Sequence, residues 1–185
     1  SNRLEGPIPE SIAYLKNLED FQAFEQCSYL KKLDKNPHDN GRPCRRMYRV
    51  KWDRYDEAAP FDWSCGGLSG KIPSSLQKLS KLRVFWVDEN RLTGSLPGWF
   101  SKMPALEKLD LFGNLFHGGI PKKWKEKKNF PKLTLLQIGG NNLKVTAADL
   151  ITLTKNIPSL REMQLMDITI LPSPKEFIAY YRKVG

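Results

Sequence analysis

Four residues that could bind a metal or form disulfides lie within one part of the chain. They are three cysteines and one histidine between positions 27 and 65: Cys27, His38, Cys44 and Cys65. Structural zinc prefers thiolate and imidazole ligands, but these spacings match no standard zinc knuckle, so we expect no metal site. An odd number of cysteines excludes a fully paired intrachain framework. An exported chain could carry one disulfide, whereas three free thiols are the simpler expectation.

A search for catalytic chemistry finds no recognisable motif. The two histidines, His38 and His117, have no serine or cysteine nucleophile at a motif spacing. The sequence also has no phosphate-binding glycine loop, no zinc-protease helix motif and no paired-carboxylate signature. We therefore expect a protein that is not an enzyme, requires no cofactor and takes no small-molecule substrate.

The elements that would position a binding site come from a pattern that occurs twice, 24 residues apart. Residues 82–97 read LRVFWVDENRLTGSLP, and residues 106–121 read LEKLDLFGNLFHGGIP. The matching positions are Leu82, Phe85, Val87, Asn90, Leu92, Gly94, Leu96 and Pro97 against Leu106, Leu109, Leu111, Asn114, Phe116, Gly118, Ile120 and Pro121. A fixed period of this size predicts a solenoid, in which each unit buries its apolar face only against its neighbours.

The pattern LxxLxLxxNxLxGxIP resembles the plant-type leucine-rich repeat. The resemblance implies an α/β fold, a right-handed leucine-rich-repeat solenoid with a concave parallel β-sheet, and protein binding as its general role. We expect a single domain over 1–185, incomplete at its N-terminus because the chain opens in mid-repeat. The pattern is lost over 27–60, which predicts one irregular basic insertion, and 172–185 is predicted to be a C-terminal helical cap.

Within a unit, alternating residues predict a short strand with one buried face. Phe85 and Val87 are expected to face the core, which leaves Trp86 on the opposite face. Asn90 and Asn114 follow the strands where the chain turns, and a buried amide there can satisfy backbone groups of neighbouring coils.

Side chains that alternate with the buried positions are expected to line the concave groove. The central column reads Gln22, Asp62, Trp86, Asp110, Gln137 and Gln164, and the column beside it reads Phe24, Ser64, Asp88, Phe112, Gly139 and Met166. Rigid aromatics flanked by hydrogen-bonding acids are typical of a protein or sugar contact. We therefore predict a partner-binding surface formed by Asp62, Trp86, Asp88, Asp110 and Phe112. The alternative is an aromatic and polar ladder on an exposed sheet, without a binding function.

The net charge of +10 is concentrated in two segments. Residues 27–57 hold nine Lys and Arg against five acids, and residues 122–132 hold six lysines against Glu126. These segments predict a secondary basic surface comprising Arg45, Arg46, Arg49, Lys122, Lys123 and Lys125. Such a surface favours nucleic acid, phospholipid or acidic polysaccharide, whereas solvated lysines on a loop are the plain alternative.

The favoured function is non-catalytic recognition of a protein partner through the concave face and the adjacent insertion. The alternatives are a structural subunit docked by its insertion and Lys-rich edge, a carbohydrate-binding surface protein, and nucleic-acid binding. No apolar run approaches the ~20 residues of a membrane span. The family resemblance favours a secreted or cell-surface protein, although the sequence has no N-glycosylation sequon to support a eukaryotic secretory route.

Overall fold

The computed structural model describes residues 5–23 and 67–171, in which short strands alternate with single helical turns. The strands are β1 (Gly6–Pro7), β2 (Asp20–Gln22), β3 (Leu68–Lys71), β4 (Val84–Trp86), β5 (Arg91–Ser95), β6 (Lys108–Asp110), β7 (Leu115–Gly118), β8 (Leu135–Gln137), β9 (Asn142–Thr146), β10 (Glu162–Gln164) and β11 (Thr169–Leu171). Within the described ranges, four 3₁₀ helices cover Glu10–Tyr14, Ser74–Lys78, Gly98–Lys102 and Lys122–Lys125, and one α-helix, α1, covers Ala147–Asn156.

The strands form two parallel sheets that extend side by side along the solenoid. The inner sheet has the order β2-β4-β6-β8-β10, and the second sheet has the order β1-β3-β5-β7-β9-β11. A parallel pair needs a crossover connection, and here each crossover is one complete coil. The chain passes from an inner strand to a second-sheet strand, then through a helical turn to the next inner strand. This order confirms the predicted leucine-rich-repeat solenoid.

One continuous core lies between the two sheets and the helical turns. Phe85 and Val87 are completely buried, as the alternation predicted, and Trp86 between them is partly exposed. The ring of Phe85 stacks on Phe21 of the preceding coil with centroids 5.3 Å apart, and it contacts Phe100 at 5.2 Å. No single coil has enough apolar surface to be stable by itself, so the stability arises between coils.

Buried asparagines connect successive coils after the inner strands β4, β6 and β8. Asn114 Oδ1 accepts a hydrogen bond from the Leu92 N–H at 3.0 Å, and its Nδ2 donates to the Val87 carbonyl at 2.8 Å. Asn90 accepts from the Leu68 N–H at 2.8 Å, and Asn141 accepts from the Phe116 N–H at 3.0 Å. The predicted role of these amides is confirmed.

The second-sheet strands end in the turn chemistry that the sequence indicated. Gly94 and Gly118 have φ values of 93° and 88°, a left-handed region in which a β-carbon is unfavourable. Pro97 and Pro121 then precede the 3₁₀ helices, with φ values of −67° and −56° that the pyrrolidine ring favours.

In one coil the helical turn is replaced by α1. Its first turn is closed by a capping box, because the Thr146 hydroxyl accepts from Asp149 N at 3.0 Å and Asp149 Oδ2 accepts from Thr146 N at 3.1 Å. Leu150 and Leu153 are fully buried along one face.

The first described coil differs from the prediction. β2 pairs directly with β4, with Gln22 opposite Trp86, and β1 pairs directly with β3. The predicted column order, with Asp62 between Gln22 and Trp86, is therefore wrong. The predicted binding role of Asp62 stays a prediction. Asp62, the predicted insertion over 27–60 and the predicted cap over 172–185 lie outside the described residues.

Candidate functional site

The outward face of the inner sheet presents two parallel columns of side chains. In the central column, Gln22 pairs with Trp86, Trp86 with Asp110, and Asp110 with Gln137, which pairs with Gln164. The second column is aligned by backbone hydrogen bonds, such as Glu89 N to Phe112 O at 2.9 Å and Gly113 N to Gly139 O at 3.0 Å. Among the described residues, both columns run in the predicted order, whereas Phe24, Asp62 and Ser64 lie outside those residues.

Three of the predicted partner-binding residues reach the surface of this face. Trp86, Asp88 and Phe112 are each partly exposed, and they belong to two adjacent coils. Neighbouring parallel strands lie about 4.8 Å apart, so the two aromatic side chains are within reach of one ligand. We call Trp86, Asp88 and Phe112 the groove surface.

In the second column, the position after Phe112 is Gly139, which has no side chain. A β-carbon at Gly139 would overlap the backbone carbonyl of Met166, so the close approach of the two coils requires glycine there. Met166 is 62% exposed on the far side of this position. The sequence placed Gly139 in the column but gave no indication that the backbones meet at this point.

Asp110 lies beneath the surface instead of on it. Its residue exposure is 1%, and its Oδ1 accepts a hydrogen bond from the Phe112 N–H at 3.0 Å. With its amide nitrogen turned towards Asp110, Gln137 donates to both carboxylate oxygens and accepts from Gln164 Nε2 at 3.0 Å. The prediction that Asp110 offers its carboxylate to a partner is therefore corrected, because its sheet neighbours cover and bind it.

The burial of Asp110 changes its protonation. Burial raises the pKa of Asp110 to about 7, the hydrogen bond from Phe112 opposes this shift, and the charges of Asp88 and Glu89 raise the pKa further. Protonated and ionised forms are consequently both populated near neutral pH. The net charge under the groove surface thus depends on pH in the physiological range.

The predicted basic surface is only partly present. Lys122 and Lys123 are exposed on the helical turn after β7, whereas Lys125 is partly buried and its Nζ lies 2.6 Å from Asp149 Oδ1. Although burial raises the pKa of Asp149, the hydrogen bonds from Lys125 and Thr146 outweigh it and lower that pKa. Lys125 therefore stabilises the start of α1 and is corrected from surface residue to structural residue. Arg45, Arg46 and Arg49 lie outside the described residues.

Two further exposed lysines on the same loop, Lys127 and Lys128, were not among the predicted site residues. The signal that could have identified them is Trp124, an aromatic residue within the lysine run that is completely buried. If Trp124 is taken to face the core, the lysines around it can be assigned to positions that face the core or the solvent.

The described residues show no metal site. Within 5–23 and 67–171, no group of His, Cys, Asp and Glu side chains is arranged to hold a metal ion. The three cysteines and His38 lie outside these ranges. No helix in the described ranges is both long and apolar enough to cross a membrane.

Comparison with a family model identifies the repeat. Residues 64–116 match the model described as "Leucine rich repeat". This match includes both strong repeats through Asn114, which were recognised from their period. It extends over less than a third of the chain, so it describes the repeat unit and not the whole molecule.

Two of the similar curated proteins are plant receptor-like proteins. The chain is 37% identical over 79 residues to Receptor-like protein 35 of Arabidopsis thaliana, which covers 43% of this chain and 8% of that protein. It is also 37% identical over 79 residues to Receptor-like protein 43 of the same species, covering 43% of this chain and 10% of that protein. The chain therefore corresponds to a small part of either relative.

The similar solved structures include plant receptor ectodomains. A structure titled as a PEPR1–AtPEP1 complex matches with a TM-score of 0.58 and 26% identity, over 92% of this chain and 18% of that one. A plant peptide hormone receptor, RGFR1 in complex with RGF2, matches with a TM-score of 0.55 and 24% identity, over 89% of this chain and 19% of that one. At 24% identity, the match to RGFR1 shows a similar fold and nothing more.

Proposed function

We propose that this chain, a leucine-rich-repeat protein with plant-type repeats, is a non-catalytic module that recognises a protein partner through its groove surface. The observation that carries the proposal is the position of Trp86 and Phe112. Both side chains stand on the outward face of the inner sheet in adjacent coils, while the core is filled without them. Large aromatic side chains at such positions are typical anchors of protein interfaces.

The framework favours recognition because it holds these side chains in place. The strands that present them pair on both sides, and the buried asparagines fix the spacing of the coils. A rigid surface loses little conformational entropy on binding, so more of the contact energy appears as affinity. Asp88, partly exposed beside the aromatics, could contribute a hydrogen-bonding group at the rim of the contact.

The relatives support a protein or peptide as the partner class. One similar structure is titled PEPR1–AtPEP1, and another is titled as the plant peptide hormone receptor RGFR1 in complex with RGF2. Because this chain spans less than a fifth of that receptor chain, we carry over only the partner class and not the ligand. A partner of this class also agrees with a cell-surface or secreted location, as for the receptor-like relatives.

The proposal predicts that Trp86→Ala weakens partner binding by more than about 1 kcal/mol while the chain stays folded. The chain would be used to select ligands from a random peptide library, and the affinity of the selected peptides would be measured by calorimetry. Tyr14→Ala is the matched control, because Tyr14 is an aromatic side chain that is 83% exposed on a helical turn away from the inner sheet.

Two results would contradict the proposal. One is an unchanged affinity of Trp86→Ala for every selected peptide. The other is an equal loss in Tyr14→Ala, which would mean that the peptides bind exposed aromatics without a defined site. Titration of the same variants with neutral oligosaccharides tests the carbohydrate alternative, which predicts binding of sugars but not of peptides.

A further inference from the structure

We propose that a second surface, the lysine platform formed by Lys122, Lys123, Lys127 and Lys128, binds an acidic polysaccharide. The four side chains are exposed on the loop that leads from β7 to β8. This loop is three residues longer than the corresponding loop of the preceding coil, because Asn141 follows Asn114 by 27 residues instead of 24. The lysine platform is separate from the inner sheet and therefore independent of the groove surface.

The loop is fixed to the core by two aromatic residues. Trp124 and Phe130 are completely buried, and their rings meet edge to face with centroids 5.2 Å apart. Trp124 Nε1 donates to the Pro97 carbonyl at 3.0 Å, and Phe130 N donates to the Ser101 carbonyl at 2.8 Å. Both ends of the segment that carries the lysines are thus held by the preceding coil.

Polar side chains fix the backbone between these two anchors. Asn129 is 2% exposed, donates to the Lys123 carbonyl and accepts from Lys102 Nζ at 2.7 Å. Asn156 of α1 donates to the Lys125 carbonyl at 2.6 Å. Such buried, satisfied amides define a single backbone geometry. A loop that only carried solvated charges would not need them.

The backbone also adopts unfavourable conformations to keep this geometry. Lys128 and Phe130 have φ values of 62° and 51°, in the left-handed region that side chains other than glycine rarely adopt. The surrounding contacts must offset the cost of this conformation. The fold therefore fixes the backbone from which the platform lysines extend.

The carboxylates near the lysine platform pair with other lysines. Asp149 pairs with Lys125, and Glu126 lies 3.9 Å from Lys102 Nζ. Among residues 5–23 and 67–171, no carboxylate forms an ion pair with the four platform lysines. A local excess of positive charge on a rigid surface attracts a polyanion.

The side-chain chemistry favours an acidic polysaccharide over the other polyanions. The two aromatic residues of the loop are buried, so they can neither stack on nucleic-acid bases nor insert into a bilayer. The platform contains no arginine for bidentate phosphate binding, and lysine ammonium groups act as point charges. A polyuronate, with one carboxylate on each sugar of a stiff chain, needs only such point charges at fixed positions.

The test is a titration of the full chain with an oligogalacturonate, a polyuronate of defined length, in low-salt buffer. The variant K122Q/K127Q/K128Q removes three platform charges and leaves Lys123, whose side chain packs against Gly98. The control K16Q/K78Q/K81Q removes the same charge from exposed lysines of other coils. We expect the platform variant to bind roughly tenfold more weakly and the control to bind like the unmodified chain.

Further arms of the titration identify the source of the negative charge. The methyl-esterified oligomer has no carboxylate charge and should not bind. The proposal is overturned if the platform variant binds as the unmodified chain does, or if the control loses as much affinity. It is also overturned if vesicles containing phosphatidylserine, or duplex DNA, bind as tightly as the oligogalacturonate with the same dependence on the platform lysines.

Discussion

Replacing Asn114 with alanine should lower the free energy of unfolding by roughly 3 kcal/mol, because buried backbone groups lose their partners. The Asn114 side chain is 5% exposed and contacts two coils. It accepts from the Leu92 N–H and donates to the carbonyls of Val87, Leu111 and Phe112. An alanine can replace none of these bonds, and the site has little room for water.

The measurement is urea unfolding followed by circular dichroism. Asn142→Ala is the control, since Asn142 is an exposed asparagine in β9, and it should change the unfolding free energy by less than about 0.5 kcal/mol. Asn114→Asp keeps an acceptor for the Leu92 N–H but loses the amide donor to the carbonyls. This variant should therefore also lower the free energy of unfolding. A loss below about 1 kcal/mol in Asn114→Ala would show that the asparagine ladder does not hold the coils together.

Asp110→Asn should stabilise the chain increasingly as the pH rises, by roughly 2 to 4 kcal/mol between about pH 4 and pH 8. The pKa of Asp110 is raised to about 7 in the folded state, chiefly by burial, against about 4 in an unfolded chain. Between these values the folded state binds more protons than the unfolded state. The stabilising contribution of the protonated carboxyl is therefore complete below pH 4 and is lost as the pH rises through 7.

Asparagine keeps the shape of the protonated carboxyl without a titratable group. Its oxygen can still accept from the Phe112 N–H, and its amide can pair with Gln137. Unfolding of both chains would be measured across the pH range, with Asp20→Asn as the control for one lost negative charge on an exposed inner-strand residue. Parallel stability profiles for the unmodified chain and Asp110→Asn would contradict a raised pKa at this position.

The two predictions concern polar groups that the sequence could locate but whose surroundings it could not specify. Asn114 was identified with its role, since an asparagine at a fixed place in each repeat must meet the same backbone groups in each coil. Asp110 was located in the correct column, but its carboxylate is bound by the Phe112 N–H and by Gln137. Gln137 is distant in sequence and meets Asp110 only because β6 pairs with β8 in the folded sheet.

The loop from β7 to β8, which carries the lysine platform, also has features that the sequence could indicate and features that it could not. The sequence indicated a run of lysines over 122–132, and the structure shows that Trp124 within this run is buried. It could not indicate that Lys125 would pair with Asp149, because that contact depends on α1 replacing a 3₁₀ turn in the next coil. Phe130 occupies the buried position that Leu79 and Met103 occupy in the preceding coils, three residues before Leu82 and Leu106. Asn129, in the lengthened part of the loop, gave no periodic signal.

The sequence by itself determined the repeating unit: the buried face of each strand, the asparagine at its end, and the Gly and Pro that turn the chain. These features repeat because every coil has the same internal geometry, so a period of 24 residues is sufficient evidence for them. Only the tertiary structure decided which coils are neighbours where the period is interrupted, as in the pairing of Gln22 with Trp86. It also decided which polar side chains are covered, because burial depends on side chains of adjacent coils that are distant in sequence.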